Sequence, residues 1–199
     1  MKIVLASNNK HKIKEFNSIL SPLLPECDIE LLSLSDIGFT ADIVEDGTTF
    51  EENAMIKASA VASPEYISIS DDSGIAVDYL GGAPGIFSAR YAGRHGDDDA
   101  NNAKLLKELE GVPYDERTGR YVCAIACVMP GGDKFTVTGY AEGHINYELV
   151  GNGGFGYDPL FIGEGSDLTW GQISAEEKDA ISHRRKAIGL FAEELRKRL

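Results

Sequence analysis

Strand-like and helix-like apolar patterns alternate through the first half of this chain, and that alternation restricts its fold more than any other feature. KIVLA (residues 2–6) is a short continuous apolar run of strand length. In KHKIKEFNSIL (10–20), Ile13, Phe16, Ile19 and Leu20 fall on one helical face, with Pro22 as the expected stop. IELLSL (29–34) reads as a second strand and TTFEENAMIKASAVA (48–62) as a second helix. Thr48 and Thr49 each precede a glutamate by three residues, Glu51 and Glu52, so a capping box is available in either register. YISIS and IAVDY are strands with the turn-like DDSG between them, and DDDANNAKLLKELE (97–110) is an amphipathic helix with acids at its start.

From residue 121 the pattern becomes strand-rich. YVCAIACVM, KFTVTGY and EGHINY are three strands joined by turn signals such as Pro130-Gly131-Gly132, and LFI (160–162) is a short apolar piece after a glycine-rich loop. A last helix is expected from near Asp179 or Ser182 to the C-terminus. Helices alternating with strands, then an antiparallel-looking run, imply an α/β fold with a mixed sheet flanked by helices. No repeat, low-complexity tract or linker divides the 199 residues, so one domain, or two small lobes, is expected.

Charge excludes some functions. Nineteen lysines and arginines stand against 32 acids, a net charge of -13 that repels a polyanion at long range and argues against a nucleic-acid partner. A small phosphorylated ligand is still compatible, held by a few local cations and a divalent metal. The three cysteines lack zinc spacing; Cys123 and Cys127, four apart on a strand, point to one face and read as buried thiols. The apolar run Ile3–Ala6 is too short for a signal peptide and no segment approaches a membrane span, so a soluble cytoplasmic protein is expected.

Four segments carry more polar specificity than a core or a plain surface needs. SNNKHK, residues 7–12, lies between a strand and a helix, where backbone N–H groups attract anions and Lys10 and Lys12 add charge. A plain strand–turn–helix joint with asparagine caps has the same appearance, and the Walker A glycines are absent. ISISDDSG brings Asp71 and Asp72 out of an apolar strand; if strand geometry persists they face opposite ways, and a carboxylate there can hold magnesium or take a proton from water. GNGGFGYDP (151–159) sets Phe155 and Tyr157 among four glycines, which suits either a mobile loop or a flat ligand. EEKDAISHRRKAI (176–188) gathers Lys178, His183, Arg184, Arg185 and Lys186: a solvated helix face, or a donor set for an acceptor-rich ligand edge. Arg90, in the glycine-bearing loop 79–93, has the chemistry to touch phosphate or to pair with an acid. Asp97–Asp99 read as a solvated helix start, and His95 and His144 as structural.

Taken together, DDSGIAVDYLGGAPGIFSARYAG, GGFGYDPLF and EKDAISHRRKAI, in this order, resemble the inosine triphosphate pyrophosphatase (Ham1-like) family, from Lys2 to about Leu199. The resemblance implies an elongated two-lobed α/β fold around a long twisted mixed sheet, with substrate between the lobes, and a homodimer. It implies magnesium-dependent hydrolysis of deaminated purine nucleoside triphosphates (ITP, dITP, XTP) between the α and β phosphates. By position, Ser7, Asn8, Asn9, Lys10, His11 and Lys12 should hold the triphosphate, although Asn8 and His11 replace glycines of the family's usual loop. Asparagine tolerates the left-handed backbone a glycine would use, whereas a side chain at 11 either narrows the phosphate approach or adds a donor.

Glu45 and Asp72 match the family's metal-binding acids, Lys57 a lysine near the phosphates, and Asp72 also the proton acceptor, with Ser73 beside the substrate. Phe155, Gly156, Tyr157 and Asp158 should line the base pocket, Phe155 stacking on the purine, with Lys178, His183 and Arg184 on the base edge. Hypoxanthine and xanthine present an acceptor at position 6 where adenine presents an amino group, so a donor-only edge would reject adenine. The competing functions are a non-catalytic nucleotide sensor and a phosphatase releasing orthophosphate.

Overall fold

A computed structural model describes residues 1–199 apart from the side chain of His11, so the phosphate contact expected of that side chain lies outside the described residues. Strands β1 (Lys2–Leu5), β2 (Glu30–Leu32) and β3 (Ile67–Val77) are parallel, with Ile3 opposite both Leu31 and Ile67. β4 (Thr118–Val128), β5 (Lys134–Ile145) and β6 (Phe161–Gly163) extend the sheet in the order β2-β1-β3-β4-β5-β6, and β5 and β6 are antiparallel. The sheet is therefore mixed, as the patterning implied. The helices are α1 (Lys10–Leu23), α2 (Phe50–Ala60), α3 (Asp98–Glu108), α4 (Ala175–Ile181) and α5 (His183–Arg196).

Several expected boundaries move, each for a local reason. DDSG is not a turn: β3 runs straight through it, because Asp71 and Asp72 find cations on either side and need no turn to reach water. KFTVTGY and EGHINY are one strand, β5. Pro22 does not end α1; it lies in the last turn, and Leu24 N still donates to Leu20 O at 3.2 Å while the Leu24 side chain is buried. IELLSL supplies only three strand residues, since Ser33 N and Oγ turn to Asp36 at 2.8 and 2.6 Å. The C-terminal helix is preceded by the separate α4, started by a full capping box between Ser174 and Glu177. At α2 the cap is Thr49, whose side chain accepts from Glu52 N, while the Glu52 carboxylate reaches Thr48.

The chain divides into two compact units, Met1–Asp72 with Cys123–Gly139 and Arg185–Leu199, and Ser73–Val122 with Tyr140–Arg184. In the first, Phe16 and Leu20 of α1 and Ile188, Phe191 and Leu195 of α5 bury against Ile3, Leu5, Cys123, Ile125 and Cys127. Each such side chain contributes about 1.5–3 kcal/mol on burial. The alternate residues of β4, Ala124 and Ala126, meet Ala54 and Ala58 of α2, so small side chains on both elements let that helix lie close. Both cysteines are buried free thiols on one face, as expected.

The second unit has an aromatic core. Tyr121 stacks on Trp170 at 4.9 Å, and Phe161 meets both edge-on. Beside it Arg117, 2% exposed, donates to the carbonyls of Leu109, Ile145 and Asn146, each at 2.8 Å, and so fixes three chain segments from inside. Among the described residues no helix is long and apolar enough to cross a membrane.

Candidate active site

In the first unit, the link between β1 and α1 is a capped helix start. Ser7 Oγ accepts from Asn9 N at 3.1 Å, and Asn9 Oδ1 accepts from Lys12 N at 3.2 Å. No acid occupies the first turn of α1, so its positive end faces outward uncancelled. Asn8 does not stand in for a glycine by taking a left-handed backbone, because among the described residues no non-glycine residue has a positive φ. Its Oδ1 instead accepts from Ser35 N and Oγ at 2.9 and 2.7 Å, which ties the loop to the turn after β2. Lys10 lines a surface hollow with Ile13, Lys14, Asn17, Ile29 and Leu31, while Lys12 forms a 2.9 Å ion pair with the buried Asp71.

On the next face of β3, Lys57 of α2 holds two acids at once, Glu45 at 2.8 Å and Asp72 at 3.0 Å. Asn53, one turn earlier on α2, has Nδ2 3.5 Å from Asp72 and accepts from Gly47 N at 2.9 Å. Gly47 is required there, since a Cβ would lie 2.7 Å from Asn53 Oδ1. Burial pushes the Asp72 carboxyl above its ordinary value, and the Glu45 charge adds to this, against the pull of Lys57. Burial works against the Lys57 ammonium, yet Asp72, Glu45 and Asp71 together outweigh it and raise its pKa. The result is a lysine that stays charged beside a carboxylate more basic than usual. Two hard carboxylate oxygens on one lysine suit a magnesium ion, which commonly takes one or two carboxylates and completes its shell with phosphates and water.

In the second unit, Ser73, Phe155, Gly156, Tyr157, Asp158, Lys178, His183 and Arg184 all line one cavity of about 140 Å³, together with Ser88, Asp98 and Tyr121. The seven residues expected at a base pocket are thus brought together with Ser73, expected beside the substrate. Asp158 organises them: 1% exposed, it accepts from Tyr121 Oη at 3.1 Å and Phe155 N at 2.8 Å and pairs with Lys178. Burial raises the Tyr121 hydroxyl well above its ordinary pKa, so it remains a donor. Gly154, at φ +72°, leaves room for this carboxylate, which an added Cβ would overlap at 2.0 Å. Lys178 Nζ lies 4.4 Å from the centre of the Phe155 ring, whose side chain stays largely exposed. The His183 ring stacks on Tyr121 at 4.8 Å and is buried.

Five residues with roles here escaped the sequence reading. Asp71 was seen as the twin of Asp72 without its partner Lys12, and Asn53 was hidden inside a helix motif. Asp98 is an exposed acid at the start of α3, as expected, and in addition accepts from Gly156 N at 2.7 Å. Ser88 and Tyr121 carried no signal beyond membership of a loop and a strand. Of the other polar residues weighed, Arg90 lies over the Phe87 ring at 5.3 Å, and His144 stacks on Tyr114 at 5.0 Å.

The chain is 48% identical over 187 residues to the dITP/XTP pyrophosphatase of Bacillus licheniformis, covering 94% of this chain and 93% of that protein. It is 50% identical over 190 residues to that of Desulforamulus reducens, covering 94% and 92%. Among solved structures, the Staphylococcus aureus Ham1 protein superposes with a TM-score of 0.89 at 39% identity over the whole of both chains. A HAM1 protein from Coxiella burnetii gives 0.88 at 35% identity over 99% of each. The sequence pattern of the Ham1 family matches residues 3–194, and the chain belongs to that family.

Proposed function

We propose that this chain hydrolyses deaminated purine nucleoside triphosphates, ITP, dITP and XTP, to the monophosphate and pyrophosphate. The carrying observation is the second-unit cavity, which Lys178, His183 and Arg184 line together, with Lys178 over the Phe155 ring and His183 stacked on Tyr121. Lysine and arginine only donate, and an imidazole can donate as well. An acceptor at purine position 6 suits such an edge, whereas an adenine amino group would set a donor against donors and is disfavoured. The names of the B. licheniformis and D. reducens relatives support the same substrate class.

For the chemistry, the triphosphate is assigned to the first unit: the α1 start with Ser7, Asn8 and Asn9, and the cations Lys10, Lys12 and Lys57. Glu45 and Asp72 would hold magnesium, which when bound neutralises phosphate charge and polarises the bond to be broken. Asp72 orients the attacking water and accepts its proton, the role that the family resemblance gives this carboxylate. Lys57, charged throughout, keeps Asp72 and Glu45 from repelling each other and then meets negative charge developing on the pyrophosphate. In the second unit Phe155 offers its face to the base, with Ser73 next to Asp72 in the chain. This reading includes a cytoplasmic homodimer without affinity for nucleic acid, the last supported by the net charge of -13.

The test is to incubate the purified chain and magnesium with ITP, ATP and GTP separately and to assay pyrophosphate and orthophosphate. Pyrophosphate from ITP with ATP spared is the expected result. Orthophosphate alone would make the protein a phosphatase, and binding of ITP without any product would make it a sensor; either outcome defeats the proposal.

A further inference from the structure

Both walls of the base cavity are tied to one helix. Toward the segment after residue 88, Asn101 of α3 accepts from Ala92 N at 2.8 Å and donates to Ala89 O at 3.4 Å. Toward the glycine-rich loop, Asp98 accepts from Gly156 N at 2.7 Å, and Asn102 Nδ2 donates to Gly156 O at 2.9 Å. Asp98 and Asn102 are four apart, so they leave α3 on one face, a turn from each other. Both backbone groups of Gly156, a residue at φ +62°, are therefore held from a single helix turn. Asn101 and Asn102 are 2% and 4% exposed, and burying an amide costs free energy unless it is hydrogen-bonded; the bonds of Asn101 and of Asn102 Nδ2 offset that cost, while Asn102 Oδ1 has no partner among the described residues. A further tie, Tyr157 Oη donating to Ser88 O at 2.8 Å, joins the two walls directly.

The Phe155 ring, by contrast, is 64% exposed and is not fixed by burial of its own. Its placement comes through the backbone: its N–H is held by Asp158 and the next residue by α3. We infer that Asp98, Asn101 and Asn102 act as a caliper, positioning residues that set the separation of the two walls and the presentation of Phe155, and thereby set discrimination between bases. This rests on the cavity being the base site proposed above. Discrimination by donors works only while the base edge is held at hydrogen-bond distance; when the walls relax, water comes between donors and base and the gain specific to the matching acceptor is lost.

The experiment compares kcat/KM for ITP and ATP in the wild-type chain and in Asn102→Ala, Asp98→Ala and Asp98→Asn, with binding of IMP by calorimetry and inhibition by inorganic triphosphate. In the two alanine variants the ITP-to-ATP ratio is expected to fall about tenfold through the KM for ITP. IMP affinity should fall in parallel, and inhibition by triphosphate should not change. Asp98→Asn should keep most of the ratio, because an amide oxygen still accepts from Gly156 N. An unchanged ratio in Asn102→Ala, or an equal loss of triphosphate inhibition, overturns the caliper. Should the variants fail to fold, amide exchange in the wild-type chain decides: a slowly exchanging Gly156 N–H is expected, and exchange at the rate of a free loop overturns it. Failure of the wild-type chain to release pyrophosphate from ITP defeats the activity instead, while IMP binding and Gly156 exchange still report on the caliper.

Discussion

The two units handle polar groups in opposite ways. In the first, the charged groups of the site pair with one another: Lys12 with Asp71, and Lys57 with both Glu45 and Asp72. Lys12 and Glu45 keep part of their surface in water, at 27% and 37%, so an arriving anion or cation can compete for them. In the second, apart from the Asp158–Lys178 pair, the polar groups named are bonded to backbone: buried Asp158 on Phe155 N, exposed Asp98 and buried Asn102 on Gly156, and buried Tyr157 on Ser88. One region is arranged to exchange partners and the other to keep them. That division fits a substrate with one flexible, highly charged end and one flat end that must be recognised by shape and hydrogen-bond pattern.

The largest effect expected from breaking this contrast is at Asp72. Asp72→Asn removes the proton acceptor proposed above but keeps the shape, so turnover of ITP should fall about 10³-fold while IMP affinity stays within twofold. Wild-type turnover in this variant would remove Asp72 from the chemistry. Next is Asp158→Ala, which strands Lys178, Tyr121 and Phe155 N around a buried gap. Unfolding in urea should show a loss of about 3–5 kcal/mol, the cost of breaking a buried ion pair. A loss below 1 kcal/mol would mean that this region is not held as described.

Smaller effects sharpen the same contrast. Ser174→Ala removes the side-chain cap of α4, the helix that carries Lys178, and should cost about 1 kcal/mol in the same urea titration. Burial pushes the Cys127 thiol up to about 12, so it is neutral below that pH. At pH 8 about one thiol in ten thousand is thiolate, and alkylation of the native chain should spare Cys127 until urea exposes it. Rapid native labelling at this position would show the β4 face to be open.

How much of this was legible in the sequence depended on whether the determining contacts were local. The helices at 10–20 and 97–110 and the mixed sheet followed from apolar period and caps, because those signals act within a few residues. DDSG misled, since local turn chemistry and strand pairing disagreed there and the cations Lys12 and Lys57, 59 and 15 residues away in the chain, decided for the strand. The base-pocket residues were reached only through the family resemblance; glycines and donors alone left a mobile loop and a solvated helix equally open. Asp98 and Arg117 were unreadable for a further reason. What holds these two is backbone carbonyl and N–H groups, which every sequence contains, and Arg117 is buried against the default for a charged residue.

The most direct test of the division of labour crosses the two units. Inhibition by inorganic triphosphate, which has no base, is to be measured in Lys57→Ala and Lys178→Ala beside the wild-type chain. Triphosphate should bind about tenfold or more weakly to Lys57→Ala and with unchanged affinity to Lys178→Ala. Equal weakening in both variants would contradict the assignment of phosphate to the first unit and base to the second.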